Sequence, residues 1–136
     1  MASSEPPLAG LAILLVDDTD AVRRLLVYVL ADAGARVIAV GSAVEAMREL
    51  EQLVPDLLVS DIEMPKESGY ALIRKVRALD PDRGGRVPAL ALTSLATEMD
   101  RTEALVSGFD EWLAKPVPMD LLVRTAQRLA RRSPVE

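Results

Sequence analysis

The sequence contains no cysteine and no histidine among its 136 residues. Without cysteine, a disulfide framework, a thiolate nucleophile and a zinc-finger site are excluded. Without histidine, neither a Ser-His-Asp nor a Cys-His catalytic centre can form, and no histidine of this chain can carry a phosphoryl group. Any chemistry must therefore depend on carboxylates, hydroxyls and lysines.

Aromatic residues and positive charge are also scarce. Tyr28, Tyr70, Phe109 and Trp112 are the only aromatic residues, so a stacking surface for bases or flat cofactors is not expected. Sixteen Lys and Arg residues stand against 21 Asp and Glu residues, for a net charge of −5. A nucleic-acid-binding protein needs a basic surface, and this composition argues against one.

Long hydrophobic runs are missing as well. The longest run near the start covers residues 8–16, follows Glu-Pro-Pro rather than basic residues, and ends at Asp17. It is too short to span a membrane and lacks the flanks of a signal peptide. We therefore expect no membrane association and a soluble protein of the reducing cytoplasm.

What the sequence does contain is enough apolar material for one domain. Half of the residues are hydrophobic and 27% are charged, which is an ordinary balance for a globular protein of this length. The small, polar and proline-bearing residues 1–10 are expected to form a disordered lead. Residues 11–130 are expected to form the domain, and residues 131–136 a frayed tail.

Within the domain, short apolar runs alternate with segments of helical periodicity. The strand candidates are residues 11–16, 36–40, 56–60, 89–92 and 111–114. Several are apolar throughout, which is typical of strands covered on both faces. Helices are predicted between and after them, including one opened by a capping box at Ser42–Glu45 and a fourth anchored by Met99, Leu105 and Val106. This alternation predicts an open parallel sheet with helices on both faces.

Polar side chains follow the strands of this predicted sheet. Asp17 and Asp18 end the first strand, Asp61 the third and Thr93 the fourth, and Lys115 follows the fifth. Taken singly, each has a plain structural explanation as a helix cap, a turn residue or a solvated lysine. In a parallel sheet, however, the carboxyl ends of the strands share one edge, where ligands bind.

Three carboxylates at one edge require a cation, because they repel one another when all are ionised. Oxygen ligands without histidine or cysteine suit a hard ion, and a half-hydrated site suits Mg²⁺. A lysine and a hydroxyl nearby would neutralise and hydrogen-bond a transferring phosphoryl group. One carboxylate would then be the nucleophile that forms an acyl phosphate.

Four motifs carry a family resemblance: LLVDD (14–18), VSDIEMP (59–65), ALTS (91–94) and AKP (114–116). Together they closely resemble the receiver domain of two-component response regulators over about residues 10–130. The resemblance implies a flavodoxin-like, doubly wound (βα)5 sandwich of three layers, with strand order 2-1-3-4-5.

The resemblance also implies roles for individual residues. Asp61 would be the phosphoacceptor, and Asp18 and Asp61 would bind Mg²⁺ directly, with Mn²⁺ as a substitute. Asp17 would assist through water, and the backbone carbonyl of Glu63 would complete the protein ligands. Lys115 would pair with the phosphoryl group.

Thr93 would hydrogen-bond the phosphoryl oxygen, and the Lys115–Pro116 peptide bond would be cis. In the resemblance, phosphorylation draws Thr93 inward and lets the aromatic residue at position 112 follow, which changes the surface of helix 4, strand 5 and helix 5. The chain would catalyse only its own phosphorylation and dephosphorylation. Its partners would be a histidine kinase or a histidine phosphotransfer protein, and an output protein in trans or an output domain on a longer parent chain.

Three positions depart from the family pattern. Trp112 stands where Tyr, Phe or His is usual, and Ser94 where a smaller residue is common, although serine should leave the phosphoryl site open. Glu63, two residues after the acceptor, places a negative charge beside the phosphoryl group and is expected to alter its lifetime.

The alternatives are binding or enzyme classes with a related site. A haloacid-dehalogenase-type phosphatase would need a D-x-D motif after its first strand, and a flavodoxin would need a hydroxyl-rich loop there and aromatic residues. The remaining alternative is a pseudo-receiver, which keeps the fold and binds partners without phosphorylation. The basic residues of helix 3 (Arg74, Lys75 and Arg77) and of helix 5 read as solvated faces, with an acidic partner or a homodimer as the alternative for helix 5 (Arg124, Arg128, Arg131 and Arg132).

Overall fold

The computed structural model describes residues 5–94 and 97–131. Within these ranges, five strands alternate with five α-helices: β1 (Ala12–Val16), α1 (Asp20–Asp32), β2 (Arg36–Val40), α2 (Ala43–Gln52), β3 (Leu57–Asp61), α3 (Gly69–Arg77), β4 (Ala89–Thr93), α4 (Glu98–Ser107), β5 (Glu111–Ala114) and α5 (Met119–Ala130). A single 3₁₀ turn, Pro81–Arg83, lies between α3 and β4.

All four strand pairings are parallel, and the strand order is β2-β1-β3-β4-β5. Ser60 pairs with Val16, and Thr93 pairs with Ala114. The carboxyl ends of β1, β3, β4 and β5 therefore meet at one edge of the sheet. The predicted flavodoxin-like, doubly wound architecture and its strand order are confirmed.

Helices cover both faces of the sheet and create two separate cores. On one face, α1 and α5 pack onto inward side chains of the strands, with Leu30 and Leu129 against Leu15. On the other face, α2, α3 and α4 contribute to a second core built on Leu14 and Leu58. Strands β3 and β4 are buried throughout, which explains why their sequences are apolar rather than alternating.

The helix starts follow side-chain capping. The Ser42 hydroxyl accepts a hydrogen bond from the Glu45 backbone N–H. This is one of the two reciprocal hydrogen bonds of the predicted capping box. A complete capping box forms instead at the start of α4, between Thr97 and Asp100. The predicted anchors of α4 are wrong, because Met99 and Val106 are 83% and 81% exposed and α4 is held by Ala104 and Ser107.

The amino-terminal segment differs from the expected disordered lead. Leu8 is completely buried in the α1/α5 core, and its backbone N–H donates to the Ala33 carbonyl. Arg131 donates to the Pro7 carbonyl from the other end of the chain. The chain from about residue 6 therefore belongs to the domain, while residues 1–4 and 132–136 lie outside the described residues.

The basic cluster of α3 also differs from the expected solvated face. Arg77 donates to the carbonyls of Gly85, Val87 and Gly108 and forms an ion pair with Asp110 at 3.0 Å. It thereby connects α3 to the segments that enter β4 and β5. Among residues 5–94 and 97–131, none of the helices has the length and apolar character needed to cross a bilayer.

Candidate functional site

Three carboxylates converge at the carboxyl edge of the sheet. Asp17 and Asp18 follow β1 directly, and Asp61 is the last residue of β3. One carboxylate oxygen from each lies within 4.8 Å of the others. Asp17 and Asp61 are buried, whereas Asp18 is exposed. The parallel register thus brings together the acidic residues that the sequence placed at the strand ends.

Lys115 supplies the positive charge of this cluster. Its Nζ atom lies 3.2 Å from Asp61 Oδ1 and 3.4 Å from Asp17 Oδ2. Burial lowers the pKa of Lys115, but the attraction of Asp17 and Asp61 outweighs burial, and the net pKa is raised. Lys115 therefore stays protonated between the two carboxylates.

Burial raises the pKa of the Asp61 carboxyl from 3.8 to about 6. Lys115 opposes this shift, while the negative charges of Asp17 and Glu63 add to it. A single ammonium group thus compensates the carboxylate cluster incompletely. The site favours the arrival of further positive charge.

The donor set fits a hard divalent cation. Three carboxylates at mutual distances below 4.8 Å offer only oxygen ligands, and one of them faces solvent. This combination is typical of Mg²⁺ sites that retain water. The capping explanation for the Asp17–Asp18 pair does not hold, because the N-cap of α1 is Thr19 and Asp17 Oδ1 accepts from the Thr19 backbone N–H, which lies ahead of the helix.

Thr93 and Ser94, at the end of β4, face the same edge but are bound to Glu63. Glu63 Oε1 accepts hydrogen bonds from the Thr93 hydroxyl at 2.6 Å and the Ser94 backbone N–H at 2.9 Å. Glu63 Oε2 accepts from the Ser94 hydroxyl at 2.7 Å. This contact spans about thirty residues of sequence, and no local pattern indicates it. Ser94 is therefore a hydrogen-bonding member of the site rather than only a small residue that leaves space.

Two backbone features support the loops of the site. The Lys115–Pro116 peptide bond is cis, the isomer that the resemblance implies. At Gly69, which begins α3, a Cβ atom would lie 2.4 Å from the Asp61 carbonyl oxygen and 2.9 Å from Ile62 Cα. Only glycine lets the loop return this closely to the end of β3.

Trp112 lies on β5, half-buried against the core beneath α2, α3 and α4. The guanidinium carbon of Arg101, on α4, lies 4.6 Å from the centre of the Trp112 ring. This is a cation–π contact, and it joins α4 to β5. The sequence indicates Trp112 but not Arg101, because helical periodicity places Arg101 only on an exposed face.

The basic residues of α5 mostly bind within the chain. Arg124 pairs with Asp120 at 3.4 Å and Arg128 with Glu111 at 2.5 Å. These are exposed pairs of low energy. Arg132 lies outside the described residues.

Known proteins resemble this chain over most of its length. Residues 13–127 match the family model of the response regulator receiver domain. The chain is 46% identical over 121 residues to an uncharacterized 14.6 kDa protein of Leptolyngbya boryana, covering 89% of this chain and 91% of that protein. It is 36% identical to the transcriptional regulatory protein TrcR of Mycobacterium tuberculosis, again over 89% of this chain but only 46% of the relative.

A solved structure shares both fold and sequence. The receiver domain of the sensor histidine kinase PA1611 from Pseudomonas aeruginosa, with a magnesium ion in its active-site cleft, superposes with a TM-score of 0.83. The two are 35% identical, and the match covers 91% of this chain and all of the other. The family match, the strand order and the strand-end carboxylates agree, and this chain belongs to the response regulator receiver domain family of two-component systems.

Proposed function

We propose that this receiver domain accepts a phosphoryl group on Asp61 and thereby changes its surface for a downstream partner. One observation carries the proposal. Lys115 Nζ lies 3.2 Å from Asp61 Oδ1, inside a cluster of three carboxylates whose oxygens lie within 4.8 Å of one another. A buried acceptor, a fixed cation and an oxygen-only donor set are the groups that phosphoryl transfer needs.

In the reaction, a carboxylate oxygen of Asp61 attacks the phosphorus atom of the donor. A P–O bond to Asp61 forms while the donor's P–N bond, in a phosphohistidine, or P–O bond, in acetyl phosphate, breaks. The electron pair of the broken bond leaves with the imidazole or the acetate. Because this chain has no histidine, the phosphohistidine must belong to a separate histidine kinase or phosphotransfer protein.

Other residues of the site would bind the metal ion and stabilise negative charge. Asp18 and Asp61 would hold Mg²⁺, with Asp17 and the Glu63 backbone carbonyl assisting. When bound, the ion neutralises charge on the acceptor and on the transferring group. Lys115 holds a proton at Nζ and lowers the cost of the negative charge that the product adds beside Asp17.

After transfer, the Thr93 hydroxyl donates to a phosphoryl oxygen, and Trp112 follows the movement of β4. The affected surface is formed by α4, β5 and α5, where the Arg101–Trp112 contact joins two of the elements. Such an event biases a two-state surface through local charge. The kinase or phosphotransfer protein and the output partner would be cytoplasmic, as would this domain.

The test uses intact-protein mass spectrometry with acetyl phosphate as donor. We expect one phosphoryl adduct in the presence of Mg²⁺ or Mn²⁺, none with a chelator and none in Asp61→Asn. Asp82→Asn, an exposed acidic residue at the opposite edge of the sheet, is the matched control and should be modified like the wild type. A folded wild-type protein without an adduct would contradict the proposal and favour a pseudo-receiver that binds partners without phosphorylation.

A further inference from the structure

The Glu63 side chain occupies the Thr93 hydroxyl, which is the donor that the proposed phosphoryl group would use. In the family resemblance, only the backbone carbonyl of Glu63 has a role, as a metal ligand. Here its carboxylate extends from the loop after β3 to the end of β4. It accepts from the Thr93 hydroxyl at 2.6 Å, the Ser94 N–H at 2.9 Å and the Ser94 hydroxyl at 2.7 Å.

These hydrogen bonds are strong, because they are short and their acceptor is a charged carboxylate. Hydrogen bonds to an ionised acceptor are shorter and roughly twice as strong as those between neutral groups. Thr93 is buried, so its hydroxyl bond to Glu63 is partly shielded from water. Both carboxylate oxygens accept hydrogen bonds from the end of β4, and the Ser94 N–H reaches each of them. These bonds fix the end of β4 relative to the loop after β3.

A phosphoryl group on Asp61 would need the Thr93 hydroxyl as a donor, and Glu63 already occupies it. The phosphoryl group carries about −1.5 to −2 charges and several acceptor oxygens, whereas the Glu63 carboxylate carries one charge and two oxygens. One hydroxyl proton cannot make a full-strength hydrogen bond to two anions at once, and the charges of the two anions repel at short range. The negative charge of Glu63 already raises the pKa of Asp61.

We infer that the Glu63 carboxylate is an internal latch, which holds Thr93 and Ser94 in the unphosphorylated arrangement until a phosphoryl group on Asp61 displaces it. The inference rests on the proposed phosphorylation of Asp61. A latch that binds only one of two states shifts their equilibrium by its differential affinity. Glu63 therefore raises the threshold for activation, and its release into solvent accompanies the switch.

The test measures equilibrium binding of a phosphoryl mimic. Beryllium fluoride binds a carboxylate oxygen as a tetrahedral anion, and it is titrated into the Mg²⁺-loaded protein while Trp112 fluorescence and the Ser94 amide NMR signal are followed. Glu63→Gln keeps the shape of the side chain and removes its charge. We expect the half-saturating concentration to fall about 10-fold in this variant, the size of a lost charge-assisted contact.

Two further variants separate a latch from a general charge effect. Glu67→Gln removes the same charge from the same loop, but Glu67 pairs with Lys75 on α3 at 2.5 Å rather than with the end of β4. We therefore expect a change below about 2-fold, because the two sites share no partner. Ser94→Ala removes the hydroxyl contact to Glu63 Oε2, so it should lower the half-saturating concentration about 2- to 3-fold and weaken the effect of Glu63→Gln when combined with it.

The outcomes distinguish the latch from the proposed function. Equal affinity in wild type and Glu63→Gln, an equal gain in Glu67→Gln, or a wild-type Ser94 amide signal unmoved by beryllium fluoride would overturn the latch alone. The Ser94 amide should also shift in Glu63→Gln before any beryllium is added, which reports the contact directly. Failure of every variant both to bind beryllium fluoride and to acquire a phosphoryl adduct would overturn the proposed function and the latch with it.

Discussion

Replacing Arg77 by methionine removes one charged group that connects three parts of the fold. Arg77 Nε donates to the Gly108 carbonyl at 2.9 Å, and Nη1 donates to the Val87 carbonyl at 2.6 Å and the Gly85 carbonyl at 3.2 Å. A terminal nitrogen also pairs with Asp110 at 3.0 Å. Methionine keeps an apolar stem of helical propensity similar to that of arginine and loses all of these donors.

The magnitude follows from the number and exposure of these contacts. A hydrogen bond to a charged group contributes about 1.5–3 kcal/mol, but bonds made by one side chain do not add fully. The side chains of Arg77 and Asp110 are 23% and 24% exposed, so the loss resembles the breaking of a largely buried pair. We expect the free energy of unfolding to fall by about 3–5 kcal/mol, with a Tm lower by about 10–20 °C.

Urea and thermal unfolding followed by far-ultraviolet circular dichroism measure this loss. Arg74→Met is the matched control on the same helix, because Arg74 is 58% exposed, pairs with Glu103 at 3.5 Å and donates to the Ser107 hydroxyl at 3.1 Å. An exposed pair contributes about 0–1 kcal/mol, and the control should change little. Equal losses in the two variants, within about 1 kcal/mol, would refute the reasoning that Arg77 joins α3 to the entries of β4 and β5.

Three further perturbations test the core, the acceptor loop and the electrostatics of the site. Leu8→Ala should lower the free energy of unfolding by about 2–5 kcal/mol in urea denaturation, because Leu8 is fully buried. A loss below about 1 kcal/mol would contradict the packing of Leu8 in the core and favour a disordered lead. Gly69→Ala places a methyl group against the Asp61 carbonyl and should cost about 1–3 kcal/mol and reduce the acetyl phosphate adduct; an unchanged adduct yield and Tm would contradict the close packing. In chelated protein, the folded pKa of about 6 for Asp61 lies above its ordinary 3.8, so the contribution of Asp61 to the free energy of unfolding falls as the pH rises from about 4 to 6. Asp61→Asn lacks this loss, and its stability advantage over the wild type should therefore grow across that interval; an advantage independent of pH would show that Asp61 is not buried among like charges.

Much of the fold could be predicted because the information is local. The five apolar runs predicted the five strands to within one residue at each end, since polar, proline or glycine residues adjoin each run and mark its limits. The alternation with helical segments then predicted a parallel sheet. Because such a sheet collects its strand ends at one edge, the sequence also indicated which side chains would meet.

The errors arose where burial depends on partners distant in the sequence. Leu8 follows two prolines and reads as part of a linker, yet it fills a space between α1 and α5. Arg77 has the composition of an exposed helix face, but the turns before β4 and β5 direct their carbonyls toward it. In α4, small residues rather than Met99 and Val106 contact the sheet, because α4 lies close to α3 and β5.

By itself, then, the sequence determined the elements, the family and the group of residues at the carboxyl edge. Periodicity and motif order are properties of short segments, and they can be recognised without knowing which helices pack on which strands. The tertiary structure alone decided the distances within that group, the position of Lys115 between Asp17 and Asp61, and the contact of Glu63 with Thr93 and Ser94. These depend on how two loops about thirty residues apart approach each other, and only the packed sheet and its helices fix that approach.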